Sequence, residues 1–185
     1  MCEYCGCQSL ASIAKLTEEH DHVVNLIGEI RTAYRRGDAA AIIGLCTRIS
    51  AVLVPHTVVE EQGLFPAMAA DFPEKIAILE AEHRQIESVL AGAGDGTARA
   101  DPNWSARLIE TLAVLREHIF KEQDGVFPAA LSTLSTAEWE HLDQVRDTAE
   151  RTCRRPDLGH EARIVRLEPV GADRAVISAE RPIVA

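Results

Sequence analysis

The sequence predicts an all-α fold, an antiparallel up-and-down four-helix bundle followed by one additional helix and a tail. Apolar residues recur at helical spacing in four long segments joined by short connections. No strand pattern appears before residue 160. The chain also repeats itself. His56-Thr-Val-Val-Glu60-Glu-Gln-Gly63-Leu-Phe65-Pro66-Ala67 and His118-Ile-Phe-Lys-Glu122-Gln-Asp-Gly125-Val-Phe127-Pro128-Ala129 share His, Glu, Gly, Phe and Pro at identical offsets, 62 residues apart. Upstream stand Glu19-His20 and Glu82-His83, so that His20 precedes His56 by 36 residues and His83 precedes His118 by 35. Two copies of one helical hairpin follow from this, with the first and third helices equivalent, and the second and fourth.

The first helix is expected from Ser9 to Arg36, with Ile13, Leu16, Val23, Ile27, Ile30 and Tyr34 on one stripe. Gly37 ends it and Asp38 caps the next. The second carries Ile42, Leu45, Ile49, Val52 and Leu53 and runs to about Gln62, bent at Pro55. The third starts near Pro73, with Ile76, Leu79, Ile86 and Leu90 inward, and the run from Gly92 to Gly96 closes it with a flexible link. Asp101-Pro102 is a cap followed by proline at the first helical position, opening a fourth helix with Leu108, Thr111, Leu112, Leu115 and Ile119. Ser135 and Glu138 form a capping box for a fifth helix reaching about Cys153. The expected units are a cysteine-containing segment (1–8), the bundle (9–134), the extra helix (135–155) and a tail (156–185) that is a small hairpin or disordered.

A hydrophobic content of 46% and a charged content of 26% are ordinary for a soluble globular chain. The net charge of -10 argues against binding nucleic acid or an anionic membrane. No apolar run is expected to span a bilayer, and the N-terminus lacks a secretory pattern, so the cytoplasm is the expected compartment. Five cysteines, three of them at 2, 5 and 7, do not resemble a disulfide framework.

The chemistry lies in the histidines and glutamates, which fall in register with the apolar stripes. His20 stands between Leu16 and Val23, and His83 between Leu79 and Ile86. His56 with Glu60, and His118 with Glu122, are four apart and so share a helical face pointing inward. Burying four imidazoles and two carboxylates is costly unless something compensates, and a pair of cations would compensate all six. The tetrapeptide alone discriminates little, since His83 and Glu87 also form it. The repeated Gly-x-Phe-Pro and the matched spacing discriminate more. His22 points about 200° away from the stripe, which leaves it partly exposed or an outer residue of the site. Imidazole with carboxylate and no core thiolate suits iron, manganese or zinc, and six ligands on two ions leave open positions for dioxygen, peroxide or nitric oxide. Glu87 would be a seventh ligand, and an asymmetric one, because its repeat counterpart is Val24.

With these residues, the chain resembles the hemerythrin-like (HHE cation-binding) domains over about residues 10–130. The resemblance implies an antiparallel four-helix bundle holding two non-haem iron ions, bridged by an oxygen atom or by carboxylates, with zinc or manganese as alternatives. It matches His20, His56, His83 and His118 to the family's histidine ligands and Glu60 and Glu122 to its carboxylates. Oxygen-carrying hemerythrins have a second histidine where Glu87 stands, and an aspartate five residues after the histidine of the fourth helix, where Gln123 stands. This chain is therefore more similar to the bacterial iron-centre repair proteins and to iron- or oxygen-sensing HHE domains. The resemblance implies a protein that binds or reacts with oxygen, peroxide or nitric oxide, or serves iron homeostasis or the stress response. Whether it is an enzyme stays open. If it is, it is a di-iron oxidoreductase consuming peroxide or nitric oxide. The alternatives are a non-catalytic iron or oxygen sensor signalling through the terminal segments, and a structural zinc site. Cys2, Cys5 and Cys7 offer a place for a metal ion, a redox partner or a protein partner, or else a frayed terminus with oxidisable thiols. Cys46, Trp104 and Trp139 read as packing residues, and His141 and His160 as surface residues.

Overall fold

The computed structural model describes residues 10–153, and all regular structure among them is helical. The elements are α1 (Ala11–Arg35), α2 (Ala39–Val59), a π turn (Glu60–Leu64), α3 (Phe65–Met68), α4 (Pro73–Ala91), α5 (Thr97–Ala100), α6 (Trp104–Lys121), a second π turn (Glu122–Val126), α7 (Phe127–Thr133) and α8 (Thr136–Cys153). The expected tail and the segment containing Cys2, Cys5 and Cys7 lie outside the described residues.

Local chemistry accounts for most boundaries. Gly37 takes a left-handed conformation (φ 67°) after α1, and the Asp38 carboxylate accepts from the Ala41 N–H at 3.0 Å to start α2. Ser135 and Glu138 satisfy each other's backbone N–H groups as a capping box at α8. Asp101 departs from expectation. Its carboxylate accepts from Asn103 N–H at 2.8 Å and pairs with Arg107, building a turn, and α6 begins only at Trp104. The linker expected to be flexible contains the short α5, entered through Gly96 at φ 94°.

The two π turns were not expected. Each follows a His-x-x-x-Glu unit, and each is closed by a bond spanning five residues, Phe65 N–H to Glu60 C=O and Phe127 N–H to Glu122 C=O. Pro66 and Pro128 explain their place. A proline inside a regular helix removes one donor and drives its ring against the carbonyl four residues back. One extra residue in the turn widens it there, and the helix continues instead of ending near Gln62.

The core consists of two apolar clusters. One collects Val23 to Ile30 of α1, Ile42 to Leu53 of α2, Ile86 and Leu90 of α4, and Trp104 to Ile119 of α6. The other collects Ile13 and Leu16, Val59 to Met68, Ile76 and Leu79, Val126 to Ala130, and Leu142 and Ala149 of α8. Helices α1 and α4 thus run from the second cluster to the first, while α2 and α6 run back. Helix α1 packs on α2 and α6, and α4 packs on α2 and α6. Tyr34, expected on the inward stripe, is exposed, and its neighbour Ala33 is buried instead. Trp104 is buried and donates from Nε1 to the Val89 carbonyl at 3.0 Å. The stretch Ala39–Met68 is long and apolar enough to cross a membrane by length and composition alone, contrary to expectation, yet its inward residues pack into the core as those of a core helix do.

Candidate metal centre

His20, His56, Glu60, His83, His118 and Glu122 form a polar layer between the two apolar clusters. Helix α1 places His20, α2 places His56, α4 places His83 and α6 places His118, while each π turn begins with one of the glutamates. None is more than 5% exposed. His20 Nε2 lies 3.0 Å from His56 Nε2 and 3.2 Å from Glu122 Oε2. Glu60 Oε2 stands 3.2 Å from His56 Nε2 and 3.4 Å from His83 Nε2. His118 Nε2 is 3.0 Å from Glu122 Oε1. Two groups of donor atoms converge, His20, His56, Glu60 and Glu122 in one and Glu60, His83, His118 and Glu122 in the other. Both carboxylates belong to both groups.

The repeat extends to the rings. His20 and His56 have centroids 4.6 Å apart, and His83 and His118 4.5 Å apart, each pair tilted by 55°. Phe127 stacks on His20 and Phe65 on His83, so each repeated phenylalanine closes the other hairpin's histidine. On the opposite side is a cavity of about 10 Å³ reached by all four histidines, with Leu53, Ile86, Leu115, Ile119, Thr57 and Glu87 around it. That is room for roughly one water-sized molecule.

Outer carboxylates hold three of the histidines. His56 Nδ1–H donates to Glu19 at 2.9 Å, His83 Nδ1–H to Glu61 at 3.0 Å, and His118 Nδ1–H to Glu82 at 3.0 Å. A carboxylate only accepts, so these bonds put the proton on Nδ1 and turn the Nε2 lone pair toward the cluster. Glu19 is bound in turn by Arg146 of α8 at 3.0 Å, and Glu82 by Lys121. Burial opposes the charge on Glu19 and Glu82, but these partners win and hold both below the ordinary carboxylate range. Burial also opposes protonation of His56 and His83, and the nearby carboxylates overcome it, raising both to about 10. Glu87 goes the other way, its carboxyl pushed up by burial and by the charge of Glu61.

The donor set fits a cation. All four oxygens of Glu60 and Glu122, together with His20 Nδ1 and His118 Nε2, are buried without a hydrogen-bond partner among the described residues. The 3.0–3.4 Å approaches are therefore close but not aligned as hydrogen bonds. Carboxylates left so inside a protein are costly, and nitrogen and oxygen donors converging on two points are what a pair of cations would relieve.

A family model described as the hemerythrin HHE cation binding domain matches residues 11–130. The chain belongs to the hemerythrin HHE cation-binding family. Comparison with the curated proteins and with the solved structures gave no match. Cation binding is thus the property that this hemerythrin-like domain carries, and the buried His and Glu groups fit it.

The other residues singled out in the sequence lie apart. His22 and His141 are exposed, and Glu87 is half-buried beside the cavity. Cys46 is buried, which pushes its thiol up to about 12 and leaves it unreactive. The roles of Glu19, Glu61, Glu82 and Arg146 escaped sequence reasoning. The repeated Glu-His doublet was a signal for two of them; nothing in the sequence marked Arg146.

Proposed function

We propose that this protein is a non-haem di-iron protein whose four long helices form an antiparallel up-and-down bundle. His20 and His56 would hold one ion and His83 and His118 the other, with Glu60 and Glu122 spanning both. The observation that carries this reading is that both buried carboxylates belong to both histidine pairs. A bound iron pair supplies electrons and open coordination positions for dioxygen, peroxide or nitric oxide.

The chain's own residues prepare that chemistry. Glu19, Glu61 and Glu82 fix the tautomer and orientation of three histidines. Phe65 and Phe127 seal one side against water. The cavity on the other side has room for about one water-sized ligand, and Thr57 and Glu87 bring a hydroxyl and a carboxyl to its rim. Fewer histidines than in the oxygen carriers favour reaction with, or sensing of, the small ligand in the cytoplasm over reversible carriage.

Iron-loaded protein mixed anaerobically with dioxygen, peroxide or nitric oxide in a stopped-flow spectrometer tests this. A ligand-dependent absorbance change saturating near one ligand per iron pair is expected, and no change with any of the three overturns it. A sensor reading is favoured by the packing of α8 against the first π turn, where Leu142 lies over Gly63. Metal- or ligand-dependent protease sensitivity in α8, without turnover, would select it.

A further inference from the structure

The two histidine pairs are related by the repeat, but their outer supports are not. His83 and His118 both meet carboxylates, Glu61 and Glu82, supplied from within the two hairpins. The repeat counterpart of Glu61 is Gln123, a neutral amide. Correspondingly, among the described residues His20 Nδ1 has no hydrogen-bond partner, and Gln123 Nε2 is buried without one. Only His56 of the first pair is held from outside, by Glu19, and Glu19 is held by a residue beyond the repeat.

That residue is Arg146 of α8. It is 8% exposed, and its Nη1 donates to Glu19 Oε1 at 3.0 Å, while its Nε and Nη2 find no partner among the described residues. A guanidinium taken out of water for a single carboxylate is costly unless that contact matters. Its counterpart in the second hairpin, Lys121 on Glu82, has a side chain 45% exposed and is screened by solvent. Among the described residues, helix α8 packs chiefly on the first hairpin, on α1, α2 and the first π turn. Leu142 fills the space over Gly63, Ser12 bonds to Asp143, and the equivalent Gly125 has open space around it.

We propose that Arg146 is a positioning residue that, through Glu19, fixes His56 and makes the His20/His56 half of the metal centre depend on α8. The His83/His118 half takes its outer carboxylates, Glu61 and Glu82, from within the repeat and, among the described residues, has no link to Arg146. The centre is therefore built from two unequal halves, and losing the Arg146–Glu19 contact weakens one cation before the other. This rests on the dinuclear reading above.

The test is an anaerobic titration of the metal-free full chain with ferrous ion, by calorimetry and by competition with a chromophoric chelator. Wild type takes up two equivalents. Arg146→Met keeps one at wild-type affinity and binds the other roughly 10- to 100-fold more weakly, the usual effect of losing an outer partner. Arg146→Lys restores much of the loss, which repair of packing alone would not require. Glu19→Gln, which keeps an acceptor for His56 but removes the charge that Arg146 pairs with, reproduces the single-equivalent effect if Arg146→Met fails to fold. Unchanged affinity for both equivalents, or equal weakening of both, overturns the proposal. Fewer than two equivalents in wild type overturns the dinuclear reading instead.

Discussion

Placing alanine at the two repeated glycines separates a packing demand from a sequence echo. An ideal Cβ on Gly63 would stand 2.5 Å from Leu142 Cδ1 and 3.5 Å from Leu142 Cα, whereas at Gly125 nothing lies within 4 Å. Leu142 is fully buried, so its side chain has no solvent to turn into, and the added methyl forces overpacking worth about 1–3 kcal/mol. At Gly125 alanine meets no clash and stabilises the helical backbone by roughly 0.5–1 kcal/mol. Both glycines occupy the fourth position of a π turn, so this backbone gain cancels in the comparison. The expected difference is the overpacking itself, about 1–3 kcal/mol. With a urea slope of about 2 kcal/mol/M, Gly63→Ala unfolds roughly 0.5–1.5 M earlier than Gly125→Ala. The assay is urea denaturation of the metal-free protein followed by circular dichroism, and in a Leu142→Ala background Gly63→Ala should become as stabilising as Gly125→Ala. Equal midpoints for the two glycine variants would refute the reasoning, because α8 would then not sit on the first π turn as described.

Other outcomes follow from the same structure. Trp104→Ala should lose about 3–5 kcal/mol, and Trp104→Phe about 1 kcal/mol for the Val89 hydrogen bond; comparable melts for wild type and Trp104→Ala would deny the burial. In the metal-free protein the nearby carboxylates outweigh burial and push His56 and His83 up to about 10, which favours their protonated forms at neutral pH. Cation uptake should expel protons from these rings, seen as acidification of weakly buffered solution, and uptake without acidification counts against the charge arrangement. Because those values lie above the ordinary histidine value of 6.5, the stability they contribute is complete below about 6.5 and is lost as pH rises through about 10. The metal-free melting temperature should fall over that window, and a rise would contradict the sign. Glu60→Ala should abolish both cation equivalents, because both histidine pairs share that carboxylate, while His118→Ala should leave one; a single loss from each variant would break the shared-carboxylate geometry.

What was legible in the sequence, and what was not, divides by range. His20, His56, Glu60, His83, His118 and Glu122 could be singled out because helical periodicity places each within an apolar stripe, and the structure brings all six together. The cap at Asp38 and the box at Ser135 and Glu138 are contacts within three residues, which local pattern reveals. The π turns were hidden because a one-residue insertion merely blurs a 3.6-residue period. Glu61 directly follows Glu60 and carries no spacing signal of its own. Arg146 meets Glu19 across 127 residues, and no spacing rule reaches that far. At Asp101 the cap signal was real, but the carboxylate serves a turn before α6 begins.

The central claim is that Glu60 and Glu122 span two iron ions held by two histidine pairs. Metal content per chain tests it most directly, by elemental analysis of protein purified without chelator from iron-replete cells. About two irons per chain is the predicted result; zinc, or one ion per chain, would contradict it.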